Sequence, residues 1–403
     1  MPPRPSRHPL TPTNVALGTI TAAIVLVVYT YVGYPALLWL LGRRRPLAFP
    51  RDLPDDRCPS VSISVPVYNE ERQIGDLIES LLAVDYPRDR LQIVIVSDAS
   101  TDRTDAIVRA YADRGVELLR LDARGGKTRA EAAAASALTG EVIVNTDATI
   151  RIPPDAIRRL VAAFEDPTIG CASGRDVSVS PGEVSANVVE GGYVGYEMAV
   201  RELETKVAGI VGASGCFYAI RSHLHRLPLP GGLSRDFAAA LRARQYGFRA
   251  VSVRDAVCYV PRSQSVRKEY RRKVRTIARG MRTLWHVRSQ MNPFRYGTHA
   301  WMLVSHKICR WLLPWAALAA LLALFLLAPR SGVAMALVVA VIVGGALALV
   351  GWLMDRGDAP AVFTLPAFLA VGNLAAAHAL VRALRGADDA IWEPTRRGRI
   401  AAP

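Results

Sequence analysis

Four stretches of the 403-residue chain run without an Asp, Glu, Lys or Arg for 18 to 27 residues: 15–41, 311–328, 332–354 and 359–381. A helix needs about 20 apolar residues to cross the hydrocarbon of a bilayer, so each run reaches or nearly reaches that length. Between the first and second runs lies a long charged segment that alternates strand-like and helix-like patterns. The chain is therefore read as a soluble-type α/β domain held against a bilayer by one span before it and three after it. Hydrophobic residues make up 51% of the chain, in line with several spans.

Formal charge is +15. Lys and Arg collect on cytoplasmic loops of membrane proteins, and they also attract anionic headgroups. Nucleic-acid binding is excluded as a reading, because the basic residues flank apolar runs and no recognition motif accompanies them. Five scattered cysteines, with no C-x-x-C pair, argue for reduced thiols rather than a disulfide frame or metal cluster.

Along the chain, residues 1–14 read as a disordered leader and 15–42 as a retained transmembrane anchor. Arg43, Arg44 and Arg45 place the end of that anchor, and hence the α/β domain, in the cytoplasm of a bacterial-type cell. A Pro-rich linker occupies 43–58, the α/β domain 59–261, amphipathic interface helices 262–310, three further spans 311–385 and a basic tail 386–403. An odd number of late spans would put the tail outside, whereas its arginines favour the cytoplasm; the two expectations conflict.

Within the domain, 61–65 alternates apolar and polar residues as a strand, 92–96 and 142–145 read as buried strands, and 117–121 as a fourth. Helical patterns separate them at 71–83, 102–113 and 127–138. This order predicts a mainly parallel, Rossmann-like sheet. Such sheets bind ligands beyond the carboxyl ends of their strands. Tyr68, Asp98 and Asp147 each lie just past a strand end. The stretch up to about 215 is rich in Gly and Ser and gives no clear element, while 236–246 reads as a helix.

Asp147 could hold Mg²⁺ or Mn²⁺, hard ions that take oxygen ligands and bridge to phosphate; a turn carboxylate is the bland alternative. Thr149 could orient a water on such an ion. Asp98 could accept hydrogen bonds from a nucleobase or ribose, or cap the next helix; Ser100 or Asp102 could supply that cap and leave Asp98 for a ligand. Asp236 opens a helix behind a Gly-rich loop. It is either a general base or a first-turn acid favoured by the helix dipole. The nine cations between 262 and 282, with few apolar companions, form a stripe suited to a membrane face. Arg275 and Arg279 within it could grip a diphosphate. His286, His299, His306 and His378 have no partner at ligand spacing and are read as structural.

Four segments then carry a resemblance: VSISVPVYNEE, DYPRDRLQIVIVSDASTD, RGGKTRA and TGEVIVNTDATIRIPPDAI. Together they resemble the membrane-bound family 2 glycosyltransferases, and more narrowly the cellulose synthase-like branch, related to cellulose, chitin and hyaluronan synthases. The resemblance covers about 59–293 and the flanking spans. It implies a GT-A fold and inverting transfer of a sugar from a nucleotide donor, usually a UDP-sugar, to a glycan or lipid-linked acceptor. It implies donor contacts at Tyr68, Asp98, Lys127, Asp147, Arg275 and Arg279, a metal on Asp147, an acceptor loop at Gly212, Ser214 and Gly215, and a base at Asp236.

The sequence departs from the family pattern in three places. Thr149 replaces the second Asp of D-x-D, Arg235 replaces the Glu of T-E-D, and Thr276 and Gly280 replace the Gln and Trp of Q-x-x-R-W. These departures keep three readings open: a polysaccharide-synthase-like enzyme, a polyprenyl-phosphate or glycolipid single-sugar transferase, and a non-catalytic membrane subunit with the same fold. Partner subunits are not identified by the sequence.

Overall fold

The computed structural model describes residues 11–45, 49–50, 53–179, 185–261, 265–355 and 360–386, with only the backbone of 185–191. Most of the expected leader, part of the linker, Arg262 and nearly all of the basic tail lie outside these residues, as does the question of which side the tail occupies. The end of the expected leader is helical. Pro12 opens the first helix and Thr11 caps it, its hydroxyl accepting the Asn14 N–H at 3.2 Å.

One seven-stranded sheet forms the core of the α/β domain. Its strands are β1 (Val61–Val67), β2 (Leu91–Ser97), β3 (Val116–Arg120), β4 (Val142–Thr146), β5 (Ile169–Val179), β6 (Phe217–Arg221) and β7 (Arg249–Pro261). They stand in the order β3-β2-β1-β4-β6-β5-β7. All neighbours pair in parallel except β6, which runs antiparallel to β4 and β5. β1 is buried along its whole length, as central strands covered on both faces must be. On one face lies the helix Ile74–Leu82, which buries Ile74, Leu77, Ile78, Leu81 and Leu82 at helical spacing against Ile63, Val65 and Ile95. On the other, Ala130 and Ala134 of the helix Lys127–Ala134 pack with Val94, Val96 and Ile143.

This topology decides where the site can form. The carboxyl ends of β2, β1 and β4 are neighbours, so Asp98, Tyr68 and Asp147 line up along one edge. Because β6 is antiparallel, its amino end lies at that same edge. The loop 212–215 leading into it therefore faces the strand tips.

The unassigned Gly- and Ser-rich region contains the second half of β5 and a long helix, Ser185–Val207. The basic segment forms the helix Val266–His286, capped by the Ser265 hydroxyl on the Lys268 N–H. Among the described residues, four helices are long and apolar enough to cross a membrane: Pro12–Gly42, Thr298–Arg330, Gly332–Met354 and Ala361–Leu384. The second of these differs from the expected interface segment. Residues 298–330 run as one helical rod through a π turn at Val304–Ile308. Lys307 and Arg310, whose charges mark the start of the apolar run at 311, sit inside it.

Candidate active site

Asp147 ends β4 and receives the Lys127 ammonium, Nζ to Oδ1 at 2.5 Å. Lys127 is the first residue of its helix, and its Nζ also donates to the Gly215 carbonyl at 3.2 Å. That contact ties the loop before β6 to the tip of β4. Burial alone would push the Lys127 pKa down, but the Asp147 and Glu131 carboxylates outweigh it and hold it above the ordinary lysine value. The ammonium is a fixed positive charge at neutral pH.

Glu131, one helical turn on from Lys127, is a site residue that the sequence reading missed. It is 1% exposed and lies 3.9 Å from Lys127 Nζ and 3.3 Å from Arg235 Nε. Burial pushes its carboxyl up, against the lowering pull of Lys127 and Arg235. Arg235 thus has a buried partner of its own. A basic residue beside the expected base is accommodated because the opposing helix supplies the acid. The i, i+4 spacing of Lys127 and Glu131 was visible in the sequence, but not that Arg235 would meet them across 104 residues.

Asp236 lies in the first turn of the helix Arg235–Gln245, behind Ser234 as N-cap. Its Oδ1 accepts the Ser234 hydroxyl at 2.5 Å, and the Ser234 N–H is itself held by Thr283 Oγ1 at 2.9 Å on the basic helix. Gly215 faces it: a Cβ at position 215 would stand 3.0 Å from Asp236 Oδ2. The glycine leaves the carboxylate reachable from the cavity.

These groups line one cavity of about 330 Å³, together with Thr149, Asp176, Ser214, Arg275, Thr276 and Arg279. The structure thus brings Lys127, Asp147, Ser214, Gly215, Asp236, Arg275 and Arg279 around a single space. Ser214 is 1% exposed and its hydroxyl donates to Asp176 Oδ1 at 2.6 Å, so it fastens the loop to β5. Gly212 lies against the Phe237 ring and lines a second cavity, described below.

Tyr68 and Asp98 stand apart from that lining. At the start of the next helix, Thr104–Arg109, it is Asp102 whose Oδ1 accepts the Thr104 N–H, at 2.9 Å, so Asp98 is not used there. Asp98 is nonetheless engaged. Its two oxygens accept the Gly125 and Gly126 N–H groups, each at 2.7 Å, and it is 1% exposed. Gly126 has φ +83°, a conformation that only glycine adopts without strain. Asp98 therefore sets the turn that launches Lys127 toward Asp147. The Arg124 guanidinium lies over the Tyr68 ring at 3.8 Å.

Two of the histidines read as structural have side-chain partners distant in the sequence. His306 stands between two acids, Nδ1 at 2.5 Å from Glu204 and Nε2 at 2.8 Å from Glu197. His378 Nδ1 lies 2.9 Å from the Tyr270 hydroxyl. The partners are a hundred or more residues away, so no local spacing could show them.

Residues 62–219 match the model of the family described as Glycosyl transferase family 2. This segment is therefore similar to family 2 glycosyltransferase domains. Similar proteins include a beta-monoglucosyldiacylglycerol synthase from Synechocystis, 37% identical over 28% of this chain and 24% of the relative. An N-acetylglucosaminyltransferase from Mesorhizobium japonicum is 33% identical over 29% of this chain and 28% of its own length. The chain thus spans about a quarter of the length of these two curated relatives. Among solved structures, the mannosyltransferase PcManGT from Pyrobaculum calidifontis, in complex with GDP-Man and Mn²⁺, superposes with a TM-score of 0.68 at 25% identity. That likeness covers 92% of this chain and 99% of the other. The α/β domain therefore has a mixed, mostly parallel GT-A-like sheet, and the likeness extends beyond it into the apolar helices.

Proposed function

We propose that the chain is a membrane-embedded inverting glycosyltransferase that moves a sugar from a nucleotide donor to an acceptor hydroxyl. The observation that carries this reading is the single cavity shared by Lys127, Asp147 and Asp236. A donor diphosphate at Lys127, Arg275 and Arg279 leaves the anomeric carbon facing Asp236. Asp236 takes the acceptor proton as general base, a role worth typically about 10²–10⁴-fold. The acceptor oxygen attacks from the face opposite the leaving group, and Lys127 and the two arginines stabilise the charge that gathers on the departing diphosphate. Tyr68 and Asp98 receive the nucleobase, which exchanges with the contacts they now make to Arg124, Gly125 and Gly126.

Among the described residues no group of three or more metal-type ligands exists. Asp147 and the Thr149 hydroxyl nevertheless fit a hard divalent ion completed by the donor's own phosphates. Mg²⁺ commonly binds through one or two carboxylates plus substrate phosphate. When bound, Mg²⁺ or Mn²⁺ would add charge neutralisation at the diphosphate.

The paired Arg235 speaks against a non-catalytic subunit, since the substitution leaves Asp236 in the cavity. The four long apolar helices among the described residues and the glycolipid-synthase relative support membrane residence, and Arg43, Arg44 and Arg45 after the first of them favour the cytoplasmic side for the catalytic domain. A second cavity that runs from Asp236 to the spans favours a lipid-linked acceptor over a growing polysaccharide. The test is a panel of UDP-glucose, UDP-N-acetylglucosamine and GDP-mannose scored by nucleotide release from the purified chain, with and without Mg²⁺ or Mn²⁺. Metal-dependent release from one donor supports the reading; no release from any donor overturns it.

A further inference from the structure

A second cavity, of about 410 Å³, meets the first at Asp236, Ser234, Thr276 and Arg201, which line both, and continues between the spanning helices. Its far wall is apolar and belongs to the spans: Trp311, Leu313 and Pro314 on one, Phe368 and Leu369 on another. Gly280 of the basic helix keeps it open. A Cβ there meets only the Trp311 ring, at 3.5 Å, and any larger side chain would enter the cavity.

Three cations whose polar atoms are poorly used line the same cavity as the base. Lys307 makes no hydrogen bond and no ion pair among the described residues; its ammonium lies 5.4 Å from the Phe237 ring, one residue along from Asp236. Arg310 reaches Glu197 through Nη1 at 2.5 Å, but its Nε and Nη2 are buried with no hydrogen-bond partner. Arg201 likewise has buried, unbonded Nε and Nη1, its nearest acid being Glu197 at 3.8 Å. Glu197 is shared by both arginines and by His306, so one carboxylate faces several cations. Buried charge without a partner is costly, and each unsatisfied buried group calls for an explanation.

We propose that this cavity is the acceptor subsite and that the acceptor is a lipid whose head carries a phosphate or diphosphate. The anion lies on Lys307, Arg201 and Arg310, where the forked guanidinium donors match its oxygens. The hydrocarbon tail follows the apolar wall to the bilayer, and a hydroxyl beyond the phosphate reaches Asp236. The inference rests on the proposed transfer reaction and adds the class of its acceptor. In the reaction the hydroxyl proton passes to Asp236 and the new oxygen–carbon bond forms. The bond from the anomeric carbon to the donor phosphate breaks with its electron pair on the nucleoside diphosphate. The lipid phosphate is unchanged.

The test uses the full chain in phosphatidylcholine nanodiscs and native mass spectrometry, with undecaprenyl phosphate, undecaprenol and inorganic phosphate as probes. Wild-type protein is expected to retain undecaprenyl phosphate at least tenfold better than undecaprenol. Millimolar inorganic phosphate is expected not to displace it. Lys307→Met should lower that retention at least tenfold without lowering the melting temperature, because Lys307 gives up no hydrogen bond or ion pair. Gly280→Leu, which fills the space beside Trp311, gives a second reading of the same site if the Lys307 variant fails to fold, and should also reduce retention. Equal retention of undecaprenol, displacement by free phosphate, or wild-type retention by the folded variants overturns the proposal. UDP and GDP binding in the same samples separates the two claims. Nucleotide binding without lipid discrimination sinks the acceptor inference alone, whereas loss of nucleotide binding from wild-type protein counts against the transfer reading.

Discussion

The two cavities differ in how their charges are answered. In the donor half, the reacting carboxylates and the lysine each have an opposite charge or hydrogen-bond partner within the protein. Lys127 meets Asp147, Glu131 meets Arg235, Asp98 holds two backbone N–H groups and Asp236 holds Ser234. In the membrane-side half, Arg310, and Arg201 at the border of the two cavities, share Glu197 with buried nitrogens to spare, and Lys307 has no ion pair among the described residues. A network complete without ligand is pre-organised, and it costs little to hold in place when charge develops during transfer. A surplus of one sign is instead a receptor for the other. On the proposed reading, the contrast separates reacting groups fixed in one half from an ionic acceptor site in the other.

The comparison predicts where substitutions hurt most. Asp147→Ala removes the only carboxylate at the tip of β4 and frees Lys127 to swing. Nucleotide release should fall on the order of 10³-fold, as read by a coupled assay at saturating donor. Release within threefold of wild type would show that the donor half is not arranged around this residue.

Glu131→Gln leaves Lys127 and Arg235 without their shared buried acid. Breaking a buried pair typically costs about 3–5 kcal/mol, so thermal unfolding of the variant should move down by several degrees or more, and transfer should fall with it. Unchanged melting would mean the donor half is less interdependent than its contacts imply.

Gly215→Ala pushes a methyl group to within 3.0 Å of Asp236 Oδ2. Displacing a reacting group by a fraction of an ångström should slow transfer by about tenfold while nucleotide binding and melting stay near wild type. An unaffected rate would show that Asp236 has room to move, against the pre-organised half of the comparison.

The smallest effect concerns His225, buried under β4 with Nε2 at 3.3 Å from Asn145 Oδ1. Burial first, and then Arg235, Arg242 and Arg226, push its pKa down from 6.5 to about 3. The unfolded chain therefore takes up a proton that the folded one refuses between these values. Stability is full above pH 6.5 and is lost as pH falls toward 3, at up to about 1.4 kcal/mol per pH unit. His225→Gln should flatten that slope in melting curves between pH 6.5 and 4. An unaltered slope would place the acid sensitivity elsewhere.

Much of the donor half was legible in the sequence because its signals are local. A buried strand followed at once by Asp147 or Asp98 announces a carboxylate at a sheet edge, and Lys127 opens its helix behind a Gly-Gly turn. The remainder was not local. Glycines at 191, 192 and 195 masked the helix Ser185–Val207, which is held by tertiary contacts rather than by propensity. Lys307 and Arg310 interrupted the apolar run, so the spanning helix was read from residue 311. Arg310 lies inside because Glu197 stands opposite, and the interior it shares with Lys307 is a cavity rather than lipid. The acid for Arg235 also came from another helix.

The most direct test of the account is Asp236→Asn in the full-length protein, with nucleotide binding and sugar transfer measured on one preparation. The account predicts binding within about twofold of wild type and transfer reduced by about 10²–10⁴-fold. Transfer at the wild-type rate by a variant that still binds nucleotide would contradict it.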